Sequence, residues 1–200
     1  VVLAPRLGSP RTLPGHAIVL ATVSKTWAAA VASAQPGRRA TLTLDLRGAE
    51  QLDAAHALLR WAYTGALPDA AQLSLHVHLL DLAARQSVPD AAAACLGRLL
   101  AAPRLDLDAV SLAFSLFAPA PAACPGLLEA ARTSLREQLG DLEATMGSAP
   151  AREQLHALPH AALLALLLDP QTVAASELTA LSAAHDWLTH QKARCRARRG

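Results

Sequence analysis

Alanine and leucine crowd this chain, 47 and 38 of its 200 residues, and that bias most narrows what it can fold into. Both residues favour helix, whereas the β-branched and aromatic residues that strands use are scarce. The composition predicts an α+β chain that is mainly α, with one small sheet. A globule of this length buries roughly 70% of the surface its unfolded chain exposes, so it needs no disulfide or metal staple. One stretch breaks the helical pattern. From Thr41 to Leu46, Leu42, Leu44 and Leu46 alternate with Thr41, Thr43 and Asp45, the period of a half-buried strand.

Helical spacing resumes after it. Leu52, Ala55, Leu58, Leu59, Ala62 and Tyr63 recur at three- and four-residue steps, so a helix buries that stripe until Gly65 stops it. A second helix is expected from about Leu73 through His76, Leu79, Leu80 and Leu82 to Arg85, and Pro89 opens a third that carries Cys95, Leu96, Leu99 and Leu100. Residues 103 to 191 read as a further, all-helical unit. Its segments are LLEAARTSLREQLGDL, LPHAALLALLLD and SELTALSAAHDWL.

Two stretches of the first half carry a resemblance. His16, Leu20-Ala21-x-x-Ser24, Trp27, the strand from Thr41 and a helix closing on Tyr63-Thr64-Gly65 follow one another as in a BTB/POZ domain. In the second half, Leu163 to Asp169, Ser176, Glu177 and Trp187 resemble the BACK domain that often follows it. The pair, as in Kelch-like adaptors, covers nearly the whole chain. The resemblance implies a BTB/POZ-like domain over 1–102, a small sheet flanked by short helices. An all-α BACK-like domain over 103–191 and a basic tail over 192–200 follow. Val1 to Ala4 correspond to the first BTB strand without its usual leading helix.

The function so implied is protein–protein interaction, as a substrate adaptor of a cullin-RING ubiquitin ligase acting by dimerisation and proximity. Its partners would be the cullin, a second copy of the chain if the leading helix is present, and a substrate protein. The cullin face would hold Trp27, Val31, Arg38, Arg39 and Tyr63, and Val1, Val2, Leu3 and Ala4 would form the dimer strand. BTB adaptors commonly carry a hydrophobic-x-Glu motif before the strand opened here by Ala40. No Asp or Glu occurs between Ser24 and Leu44. An oligomerisation scaffold of a transcriptional or chromatin regulator, without a ligase role, stays open on that account.

Other classes find little footing. Cys95, Cys124 and Cys195 are odd in number and far apart, which argues against a disulfide framework and fits the cytoplasm or nucleus. Pro5 and Arg6 interrupt the opening apolar run, so no signal peptide is expected. No charge falls between Asp108 and Glu129, but Pro119, Pro121 and Pro125 turn that run into a link between two helices rather than a membrane span.

Glu153, His156 and His160 are the nearest approach to a metal set, and Pro159 separates the histidines by starting a new helix. His76 and His78 diverge by about 200° on one helix. No phosphate-binding glycine loop or Gly-x-Ser-x-Gly elbow is present, and neither Cys95 nor Cys124 has an adjacent basic residue to lower its pKa. No cofactor, metal or enzyme activity is expected. Lys192, Arg194, Arg196, Arg198 and Arg199 form the one basic cluster. Without them the net charge of +2 becomes −3, and an acidic body repels a polyanion, so nucleic acid is not the expected partner.

Overall fold

The computed structural model describes residues 2–5 (as backbone), 13–35, 41–69 and 72–197. It divides into two compact units, Val1–Ala102 and Pro103–Gly200. The first holds the strands β1 (Val2–Pro5), β2 (Leu13–Pro14) and β3 (Thr41–Leu44) and the helices α1 (Ala17–Val23), α2 (Lys25–Ala32), α3 (Gln51–Thr64), α4 (Leu73–Arg85) and α5 (Pro89–Ala101). The second is all helix: α6 (Leu107–Phe117), α7 (Pro125–Leu139), α8 (Leu142–Gly147), α9 (Ala149–Ala157), α10 (His160–Leu167) and α11 (Glu177–Ala197). The chain is mainly helical with a small sheet.

Strand order in the sheet is β2-β1-β3. β1 runs antiparallel to β2, with Leu3 opposite Leu13, and parallel to β3, with Val2 to Pro5 opposite Thr41 to Leu44. Parallel neighbours need a long crossover, which α1 and α2 supply. In β3, Leu42 and Leu44 are buried while Thr41 and Thr43 face solvent, so the alternation of the sequence is a real two-faced strand. Of the expected dimer strand, Val1 lies outside the described residues, Val2 and Leu3 have ladder partners on both sides because β1 is the middle strand, and Ala4 is paired with Thr43 on the β3 side.

α3 ends where Gly65 adopts φ +67° and its N–H bonds the Trp61 carbonyl, the left-handed cap that glycine allows most easily. Its buried face runs through Gln51, Ala54, Ala55, Ala57 and Leu58, which leaves Tyr63 outside the core, 44% exposed. α4 is buried from His76 to Ala83 except for half-buried His78 and lies between α3 and α5, the place of a helix apolar nearly all round.

The α4–α5 link is a Schellman turn. Val88 N–H reaches the Ala83 carbonyl and Ser87 N–H the Ala84 carbonyl, with Ser87 itself at φ +54°. Pro89 then opens α5.

A buried ionic knot locks the end of β3 to α3 and α4. Asp81, 4% exposed, accepts from Gln51 Nε2 at 2.9 Å and from Arg85 Nη2 at 2.8 Å, and Arg47 Nη2 lies 3.4 Å away. Arg85 also donates to Gln51 Oε1 and to the Asp45 carbonyl. Both carboxylate oxygens of Asp81 thereby face a donor or cation, Oδ2 through Gln51 and Arg85 and Oδ1 through Arg47, which offsets the cost of burying the charge.

In the second unit α10 packs on α6 and α7, and α11 packs on α8 and α9. Asp106 and Asp141 cap α6 and α8, accepting from Ala109 N and Ala144 N. Pro119 and Pro121 fall in the link between α6 and α7 and Pro125 opens α7, and none of the helices among the described residues is long and apolar enough to cross a membrane. Lys192, Arg194 and Arg196 belong to α11 rather than to a separate tail, and Arg198 and Arg199 lie outside the described residues.

Candidate functional site

The Leu-Ala-x-x-Ser-x-x-Trp stretch forms the elbow between α1 and α2. Ser24 ends one helix and caps the next, accepting from Trp27 N at 3.1 Å. Its own hydroxyl donates to the Gln86 carbonyl at 2.6 Å, and Trp27 Nε1 donates to Gln86 Oε1 at 2.9 Å. The elbow is thus bolted to the end of α4 by two buried bonds, each contributing about 1 kcal/mol. Trp27 is 2% exposed. It is a core anchor, and its place among the expected cullin-facing residues is corrected: an indole bonded inward presents nothing to a partner.

Outside the elbow lies a groove of about 560 Å³, lined by Thr22, Lys25, Ala28, Ala84, Ser87 and Asp90 among others. Lys25 and Asp90 are exposed and place opposite charges on its walls, and Thr26 Oγ1 donates to Ser87 Oγ at 3.1 Å.

Tyr63 is drawn to the start of α1. Its hydroxyl accepts from His16 N at 2.7 Å and bonds His16 Nδ1 at 2.9 Å, and the two rings meet edge to face at 5.8 Å. Ile18, 77% exposed, follows on α1, and Val31 is half-buried in the last turn of α2. Arg38 and Arg39 lie outside the described residues.

The histidines fall into two settings. His76 is fully buried and neither ring nitrogen makes a hydrogen bond of good geometry, although the Gln72 and Pro68 backbone lies near its ring, and His78 Nδ1 is likewise without a well-formed bond. Burial lowers both pKa values. For His76 the Gln72 and Pro68 backbone opposes the shift and Arg98 adds to it, while for His78 Glu50 and Asp81 oppose it.

In the second unit His156 Nε2 lies 2.9 Å from Asp186 Oδ2, its ring stacks on His190 at 4.4 Å, and Gln191 Nε2 donates to the His156 carbonyl. Trp187 Nε1 donates to the Leu158 carbonyl, which fastens α11 to the end of α9.

Pro159 separates α9 from α10, so His156 and His160 sit on different helices. No three His, Cys, Asp or Glu side chains among the described residues converge as a metal site. Burial pushes the Cys95 thiol up to about 12 and raises that of Cys124, so neither is a thiolate at neutral pH.

Sequence reasoning missed the Asp81 knot, the Gln86 bolt, the His16–Tyr63 pair and the His156–Asp186 pair. Each joins residues 30 or more positions apart, apart from the Asp81–Arg85 step inside α4. Compared with known proteins, the chain matches no family model and no curated protein.

Proposed function

We propose that the chain is a protein-interaction module of the BTB-BACK type, serving as a substrate adaptor of a cullin-RING ubiquitin ligase. The observation that carries the reading is the order of elements in the first unit. A strand and hairpin, a helical elbow built on Ser24 and Trp27, a further strand and a stack of three helices closing first on Tyr63-Thr64-Gly65 follow one another as they do in BTB domains. The all-helical second unit supports a BACK-like spacer.

In this reading the chain makes and breaks no bonds itself. It holds a substrate, recruited by another region, beside the charged ligase, and the raised effective concentration accelerates transfer. The cullin face reduces to Val31 and Tyr63 with Arg38 and Arg39, and it works in the cytoplasm or nucleus. The test is Val31→Ala and Tyr63→Ala, each shown to be folded by circular dichroism. Binding to the N-terminal domain of the cullin that BTB adaptors use should weaken about tenfold or more, the scale of an interface anchor. Unchanged affinity removes this surface from the proposal.

One sequence observation favours a second reading, an oligomerisation scaffold of a transcriptional or chromatin regulator. No acidic residue occurs between Ser24 and Leu44, where the adaptor's hydrophobic-x-Glu motif would lie. A folded protein that gives no heat with the cullin domain would select it.

A further inference from the structure

We propose that α11 is a self-association face, along which two copies of this chain pair antiparallel. α11 packs against its own unit through one side only. Ala183 is buried there, and Ala180, Trp187, His190 and Gln191 are half-buried beside it. The opposite side carries Leu178, Leu181 and Leu188, 68%, 65% and 47% exposed, with exposed His185 between them. At about 100° per residue these four fall within roughly 80° of arc. Three large exposed leucines on one helix make an apolar strip that water does not favour.

Their spacing names the occupant. The steps from Leu178 to Leu181, His185 and Leu188 are three, four and three, so the strip reads the same from either end. It is also the a/d seam along which two helices interlock. A palindromic seam is self-complementary about a two-fold axis: in the antiparallel register Leu178 meets Leu188 and Leu181 meets His185 of the second copy.

Charge selects the direction. Glu177 precedes the strip and Lys192 follows it on the same face, with Arg196 one turn further. The antiparallel register brings Glu177 within about a turn of Lys192 of the second copy, twice by symmetry, whereas a parallel pair would set like charges together. A groove of about 620 Å³ flanks the strip, with Met146 and Arg152 on its far wall and Leu178, Leu181 and His185 on its near one.

The inference stands apart from the adaptor reading, because cullin binding can fail while the pair forms. The experiment is sedimentation equilibrium of the whole chain across a dilution series. The wild type should dissociate on dilution. Leu181→Glu with Leu188→Glu, both on the exposed side, should halve the mass with the circular dichroism unchanged. Glu177→Lys and Lys192→Glu should each raise the dissociation constant about threefold to tenfold, the range of two exposed ion pairs. The combined reversal should restore it, a readout that lost helix stability would not give. A wild type that is monomeric at every concentration overturns the proposal and assigns the strip to a different protein or chain segment. An oligomer indifferent to both the leucine and the charge changes overturns it too.

Discussion

The two units solve the same problem, helices rich in alanine and leucine, in different ways. The first closes on itself: its sheet is threaded by β1, α4 is buried nearly all round, and two internal polar networks bolt the elbow and the end of β3 to α4. The second leaves Leu164, Leu168, Val173, Leu178, Leu181 and Leu188 in solvent. Its polar contacts sit mostly at helix ends, as at Asp106, Asp141 and Trp187. Buried, fully paired polar groups fix one arrangement of a core, while uncovered apolar faces are where association gains most. The first unit is held in one shape by buried polar bonds and exposes Ile18, Tyr63 and Leu100, whereas the second exposes a longer series of large apolar side chains.

The comparison breaks first at the ionic knot. Asp81→Ala removes the acceptor shared by Gln51 and Arg85 and should destabilise the first unit by about 3 kcal/mol, at the low end for a broken buried pair because Arg85 keeps some solvent access. Urea unfolding followed by tryptophan fluorescence measures it. Trp27 and Trp61 report on the first unit and Trp187 on the second. An equal loss at Trp187 would deny the contrast between the units. Trp27→Phe is the next step down. It strands Gln86 Oε1 in the core and should cost about 1–3 kcal/mol.

Acid sharpens the contrast further. His76 and His78 have folded pKa values below the 6.5 of the unfolded chain, so the unfolded state binds protons first. Stability of the first unit is therefore complete above pH 6.5 and falls as pH drops below it, by at most about 1.4 kcal/mol per pH unit for His76. Melting temperatures between pH 8 and 5 should show it, and His76→Leu should flatten the slope. The smallest effect is a gain. Ser87→Gly relieves the left-handed backbone at φ +54° and should add about 0.5 kcal/mol, reduced by the lost contact to Thr26.

What the sequence disclosed was local. The Thr41–Leu46 alternation, the stop at Gly65, the start at Pro89 and the proline-marked break between α6 and α7 all follow from periodicity and punctuation, which a few neighbouring residues carry. Partners distant in the chain were not readable. The resemblance put Trp27 on the cullin face, and its inward bond could not be foreseen because it goes to Gln86, 59 residues on. Tyr63 fell on the expected apolar stripe, yet it turns outward because His16 holds its hydroxyl. β1 looked like an open strand, since nothing in four residues tells a middle strand from an edge. The α11 strip was legible as spacing but not as exposure, because the side a helix turns inward is chosen by what it packs on.

The central proposal is that this chain acts as a cullin-binding adaptor. The most direct measurement is a calorimetric titration against the N-terminal domain of the cullin that BTB adaptors use. The account predicts saturable, stoichiometric heat with a dissociation constant of about 1 μM or tighter. A folded sample that gives no heat at any concentration would contradict it and leave the scaffold reading in its place.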